Sequence, residues 1–278
     1  MTVHVRAGTS GYSYKEWRGS FYPEELGADG WLSFYASQLP AVEINNTFYR
    51  MPKTHVVEAW RDAVPDDFRF VLKASRRITH LKRLKEPEEP LGYLVDRARV
   101  LGGKLGALLF QLPPNFPRNL ERLASFVALL PPDLPAVFEF RHDSWFEAGA
   151  AAELADVLGP RGLVVNDDGS GALDARKAMN APPSAGPLYF RLRGERYTRT
   201  QLQRWLKAIE AHGAGDAFVF FKHEDAGAGP KLARQFLTLA AATPARAPRK
   251  AAARKPAARA GRSKAGKAGP ATGRQRGA

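Results

Sequence analysis

The sequence predicts an α/β protein, a (β/α)8 TIM barrel followed by a disordered basic C-terminal tail. Three observations carry that expectation. Eight short apolar runs alternate with helical patterns over about 240 residues. Most of the runs are continuous Val, Leu, Ile and Phe without strict alternation, as expected of parallel strands covered on both faces. The composition then changes abruptly after residue 243. A doubly wound sheet is the alternative, but Gly8-Thr-Ser-Gly11 after the first run lacks the spacing of a dinucleotide fingerprint.

Taken in order, the expected strands are Val3–Ala7, Ala41–Asn45, Arg69–Ala74, Leu105–Gln111, Ala136–Arg141, Gly162–Asn166, Leu188–Arg193 and Ala217–Lys222. Between the first two, Asp29 is a candidate cap for a helix that aligns Trp31, Phe34, Tyr35 and Leu39. The second helix groups Val56, Val57 and Trp60, and the third repeats Leu91, Leu94, Val95, Ala98 and Leu101 before Gly102-Gly103. Leu120, Leu123, Val127 and Leu130 mark the fourth, and Ala148–Leu158 the fifth. The connection from Asp168 to Pro187 has the weakest pattern, and its helix is expected to be short or missing. Thr198 and Gln201 form a capping-box signature ahead of Leu202, Trp205, Leu206 and Ile209. Pro230 suits a first helical position before Leu232, Phe236 and Leu239.

Residues 1–243 are therefore one barrel domain and residues 244–278 a tail. The formal charge of +14 is uneven: the tail holds 11 of the 42 Lys and Arg and no acidic residue, leaving 31 basic against 28 acidic residues elsewhere. With no Leu, Ile, Val or aromatic residue, the tail cannot bury enough apolar surface to offset its chain entropy. Such a segment attracts polyanions, nucleic acid above all. The chain has no cysteine, which excludes disulfides, thiolate metal sites and a cysteine nucleophile. It shows no apolar leader and no run long enough to span a membrane, so a cytoplasmic protein without a membrane partner is expected.

Several segments resemble one family. They are Gly8-Thr-Ser-Gly-Tyr-Ser-Tyr14, Trp17-Arg-Gly-Ser-Phe-Tyr-Pro23, Val42-Glu-Ile-Asn-Asn-Thr-Phe-Tyr-Arg50, Phe70-Val-Leu-Lys-Ala74, Ile78-Thr-His80, Gln111-Leu-Pro-Pro114 and Glu139-Phe-Arg-His142. Over roughly residues 5–240 the chain is similar to the YecE-like proteins, catalogued as domain of unknown function 72. The resemblance implies a TIM barrel and brings no established reaction.

In such a barrel alternate strand residues point inward, and chemistry gathers at the C-terminal strand ends. Glu43 and Asn45, Lys73, Gln111, Glu139 and Arg141, Arg191 and Arg193, and Lys222 fall late in their strands on a parity that need not face the helices. Cations exceed anions in this set, which suits a phosphate-bearing small molecule or a nucleic acid. In the first reading the protein is an enzyme, a hydrolase or an isomerase. Lys73, Arg141 and Arg191 hold the oxyanion, Glu43 is general base, and Glu139 orients Arg141 or acts as acid. Asn45 and Gln111 add neutral hydrogen bonds, with Ser10, Tyr49, His142, Asp167, Arg193 and Lys222 as further ligand-binding candidates. No cofactor is predicted; a divalent metal, if one is used, would fall to His80, His142 and Asp167. The alternative is a non-catalytic nucleic-acid-associated module that draws its affinity from the tail. A third is a scaffold whose strand-end charges only pair with one another.

Overall fold

The computed structural model describes residues 3–147, 149–167, 186–212, 215–222 and 227–242. Expectations placed on the 168–185 connection and on the 244–278 tail lie outside these residues. All eight expected strands are present: β1 Val3–Ser10, β2 Ala41–Ile44, β3 Arg69–Lys73, β4 Leu105–Gln111, β5 Ala136–Glu139, β6 Gly162–Asp167, β7 Leu188–Leu192 and β8 Gly215–Phe221. They are parallel and close in sequence order, β1 through β8 and back to β1. Closure is uneven, because β1 pairs with β8 at seven positions, from Val3 with Gly215 to Thr9 with Phe221, but with β2 only at Gly8, Thr9 and Ser10.

The described helices are α1 Trp31–Gln38, α2 Thr54–Asp62, α3 Glu88–Val100, α4 Leu120–Ala128, α5 Ala150–Leu158, α6 Arg199–Ala211 and α7 Ala228–Ala242. The capping box opens α6 as expected: Gln201 N donates to Thr198 Oγ1 at 3.2 Å, and Thr198 N donates to Gln201 Oε1 at 2.7 Å. Asp29 does not cap α1. It lies in a 3-10 turn, Ala28–Gly30, and accepts from Gly30 N at 3.1 Å, while Gly30 takes the cap position. Pro230 is the third residue of α7 rather than the first, still within the turn whose N–H groups have no intrahelical acceptor. Among the described residues no helix is long and apolar enough to cross a membrane.

Strand parity separates two cores. Ala41, Val71, Ala107, Leu109, Val137, Val164, Tyr189, Phe218 and Phe220 fill the barrel interior. Residues of the other parity, Phe138, Phe140, Phe190 and Leu192 among them, join the larger cluster shared with the helices. This interior plug is the platform on which the next inward residues toward the C-terminal end must sit.

The β1–β2 contact depends on one glycine. A Cβ on Gly8 would collide with the backbone oxygen of Ala41, its register partner on β2, at the point where the Tyr35 hydroxyl of α1 binds both strands. That hydroxyl accepts from Thr9 N at 2.8 Å and donates to Ala41 O at 2.9 Å. Gly8→Ala should therefore lower stability by about 3 kcal/mol, an overpacking penalty against backbone. Gly92→Ala, in the exposed interior of α3 with nothing within 4 Å of the added Cβ, should raise stability by about 1 kcal/mol. Urea unfolding of both variants checks the pair; a Gly8→Ala protein as stable as the parent would refute the packing argument.

Candidate functional site

Above the interior plug, the inward positions turn polar. Glu43 of β2, Gln111 of β4, Glu139 of β5 and Arg191 of β7 are all buried, with Glu43 0% and Arg191 1% exposed. Such groups are tolerated in a protein interior only when each is bonded. Arg191 Nη2 donates to Glu43 Oε1 at 2.8 Å, and its Nη1 donates to Glu139 Oε2 at 2.7 Å and to Gln111 Oε1 at 3.1 Å. The remaining carboxylate oxygens are engaged as well. Tyr189 OH donates to Glu43 Oε2 at 2.6 Å, Asn45 Nδ2 to Glu43 Oε1 at 3.0 Å, and Arg141 Nε to Glu139 Oε1 at 2.7 Å.

Burial alone would push both carboxyls up, but the Arg191 guanidinium outweighs it. Glu43 is held below the ordinary carboxylate range by Arg191, Tyr189 and Asn45. Glu139 is pushed down to about 2 by Arg191 and Arg141. In turn, burial would lower Arg191, and the two carboxylates raise it instead. Arg191 Nε and Asn166 Oδ1, on neighbouring strands at matched register, are buried without a hydrogen-bond partner among the described residues.

Two glutamates and two arginines thus balance. Among the described residues, the side chains of Lys73 and Arg193 form no hydrogen bond or ion pair. Burial, then Arg191, pushes the Lys73 ammonium down to about 8 and lowers Arg193 as well. His80 is lowered by burial and by Lys73 and Arg141. Lys73 Nζ stands 4.3 Å from the centre of the Phe48 ring, and His80 meets that ring edge-on at 4.8 Å. Phe48 is placed by the 3-10 turn Asn46–Phe48, where Thr47 Oγ1 donates to Lys73 O at 2.7 Å. The result is a neutral floor with a positive lip.

Residues 6–258 match the family model described as "Protein of unknown function DUF72". The chain belongs to the DUF72 family. It is 33% identical to the UPF0759 protein YecE of Escherichia coli (strain K12) over 153 residues, 55% of each chain, so the match spans about half the length of that relative. The UPF0759 protein YunF of Bacillus subtilis (strain 168) is 26% identical over 253 residues, covering 79% of this chain and 90% of that one. The crystal structure of a DUF72 family protein from Thermotoga maritima MSB8 matches with a TM-score of 0.69 at 24% identity, covering 84% of this chain and 98% of that one. Another from Enterococcus faecalis V583 matches with a TM-score of 0.69 at 20% identity, covering 86% and 96%. At that identity the two structures speak to the barrel alone.

Several residues expected at the site of this DUF72 barrel are elsewhere. Asp167 has the outward parity of β6, and its Oδ2 accepts from Trp205 Nε1 of α6 at 3.2 Å and from Tyr197 OH at 3.1 Å. His142 caps a 3-10 turn, Asp143–Phe146, its Nδ1 accepting from Ser144 N at 3.2 Å. His80 Nδ1 lies 2.8 Å from Thr79 Oγ1. The proposed metal ligands His80, His142 and Asp167 therefore do not converge, and among the described residues no group of three His, Asp or Glu could hold a metal. Tyr49 points to solvent at 70% exposure, edge-on to Phe48. Ser10 is buried at the end of β1, register partner of Glu43, and its carbonyl accepts from Tyr14 OH at 2.7 Å. Lys222 follows β8, half-buried, and its N donates to Leu192 O at 3.2 Å. Tyr189 and Asn166 were absent from the expected set, although both share the inward parity of Arg191 through the β6–β7 register.

Removing the central cation should be severe. Arg191→Met leaves two buried carboxylates facing each other, and breaking such a pair costs about 3–5 kcal/mol. The acid limb has a definite sign. Glu139 is depressed in the folded protein, so its stabilisation is complete above about pH 4.5 and is lost as pH falls toward about 2. Urea midpoints measured from pH 7 downward should fall through that window, and Glu139→Gln should flatten the fall. An unchanged profile in Glu139→Gln would refute the assignment.

Proposed function

We propose that the C-terminal mouth of the barrel binds the phosphate group of a sugar, nucleotide or nucleic-acid substrate on Arg141, Arg193 and Lys73, and that the protein is an enzyme. The observation that carries this reading is the charge count. Glu43 and Glu139 are balanced by Arg191 and Arg141, and among the described residues Lys73 and Arg193 have no carboxylate within ion-pair distance. Half-buried cations without a counter-charge are costly, and an oxyanion would supply it. A third of the Arg141 side chain remains accessible (33%), and only its Nε is used by Glu139, so its Nη atoms are left to a ligand.

This assignment redistributes the roles expected from the sequence. Arg191 is enclosed between the two glutamates and does not reach a ligand as the lip cations do. Glu43 is a poor general base here: its oxygens already accept three hydrogen bonds and its proton affinity is lowered. Both glutamates hold the floor in place, and the lip residues meet the substrate.

Inorganic phosphate and phosphorylated sugars and nucleotides should raise the melting temperature of the full chain. A ligand at about 100 times its Kd adds about 2.7 kcal/mol, several degrees for a domain of this size. Arg193→Gln should abolish the shift while leaving the unliganded melting temperature close to that of the parent. A parent protein indifferent to every phosphate compound would overturn the reading.

A second reading is favoured by the tail, whose 11 Lys and Arg face no acidic residue. If the tail dominates nucleic-acid binding, deletion of residues 244–278 should remove the affinity together with its steep dependence on salt. Unchanged binding of single-stranded DNA by the truncated protein would exclude a tail-driven mode.

A further inference from the structure

The lysines of the protein are not equivalent. Among the half-buried ones in the described residues, Lys82 Nζ donates to Glu86 O at 2.6 Å, and Lys104 Nζ donates to Arg61 O at 2.8 Å and Val64 O at 2.7 Å. Lys222 is engaged as well. Lys73 is different: its Nζ has the Phe48 ring on one side and no acceptor. The carboxylates that would ordinarily claim it, Glu43 and Glu139, are occupied by Arg191, Arg141, Tyr189 and Asn45. It sits at the end of β3, one inward position above the plug residue Val71, where the barrel opens.

A lysine held beside other cations and partly withdrawn from water is the arrangement that leaves an amine neutral and nucleophilic near neutral pH. The titratable and charged groups acting on Lys73 are Arg191 and Arg141, which disfavour its charge, and Glu43 and Glu139, which favour it; burial decides the balance. His80 lies across the Phe48 ring and is itself biased toward its neutral form.

We propose that Lys73 is a covalent nucleophile that forms an imine with the carbonyl carbon of an anionic aldehyde or ketone. This rests on the anion-binding reading above and narrows it to carbonyl compounds bearing a phosphate. The Lys73 lone pair forms the C–N bond as the carbonyl π-bond breaks toward oxygen. The nitrogen gives up one proton, the oxygen gains two, one of them from solvent, and water departs, leaving the protonated imine. Amine and carbonyl are consumed one for one, with no oxidant or reductant. Arg141 and Arg193 hold the anionic end, and the protonated imine then withdraws electrons from the neighbouring carbon, the demand made by isomerisation or by carbon–carbon cleavage.

Pyridoxal 5′-phosphate, an anionic aldehyde, is a direct probe. The full chain is treated at pH 7.5 with less than one equivalent, reduced with borohydride and mapped by peptide mass. With Lys73 at about 8 against about 10.4 for an ordinary lysine, its neutral fraction at that pH is about 200-fold larger. Labelling at Lys73 should exceed that at exposed Lys15 or Lys53 at least about tenfold. Inorganic phosphate should suppress it. Lys73→Arg, which keeps the charge, should lose the adduct and retain the thermal shift with phosphate. Adducts spread over exposed lysines, with phosphate still raising the melting temperature, would overturn the imine and leave the anion site standing. Neither a Lys73 adduct nor a phosphate response would overturn both.

Discussion

The Arg191 guanidinium, clamped between Glu43 and Glu139, is the interaction on which the upper half of the barrel depends. One planar fork reaches from β7 to acceptors on β2, β4 and β5, none of them a neighbour of β7 in the sheet. A lysine could not replace it, since a point charge on a flexible stem cannot serve carboxylates in two directions at once. Neither could the glutamates stand alone, because a buried carboxylate without a cation is among the costliest groups a core can hold. Hydrophobic packing fills the barrel up to Tyr189 and Phe220, and this ion network closes it above them.

Because the floor consumes its own charge, whatever lies above it is chemically separate. Lys73, Arg141 and Arg193 stand at or beyond the ends of β3, β5 and β7, where the chain is leaving the sheet and a side chain can meet solvent on one side. Their environment is set from below. The guanidinium that neutralises the carboxylates also lowers Lys73 and Arg193, so one buried group both braces the fold and biases the lip. The stacked Phe48, held to the end of β3 by Thr47, keeps water from one side of the lysine.

Much of this was legible in the sequence, and the failures have physical causes. Strand parity correctly turned Glu43, Lys73, Gln111, Glu139 and Arg191 inward, because a period of two leaves no other choice once one face must cover helices. The same rule, applied to β6, turns Asp167 outward and Asn166 inward, whereas adjacency to the strand end singles out Asp167. Tyr189 is not legible as a site residue because a tyrosine in an apolar run reads as core, which its ring is, while its hydroxyl reaches the network. Which cation would take which carboxylate could not be read at all. Those pairings cross the barrel, and the tilt and stagger that bring β7 opposite β2 and β5 belong to closure rather than to any local segment. Asp29 failed as a cap for a local reason, since the chain enters α1 through a 3-10 turn that moves the cap to Gly30.

The uneven closure at β1 has a consequence for how the chain can assemble. Below Gly8 the first strand has no ladder to the second, and its backbone partners are supplied by residues 215–221. During synthesis the N-terminal segment must therefore wait, with most of its amides satisfied by water, until more than two hundred residues have followed it. Joining β1 to β8 closes a loop of about two hundred residues, and the Tyr35 hydroxyl reinforces the short ladder that holds β1 on β2.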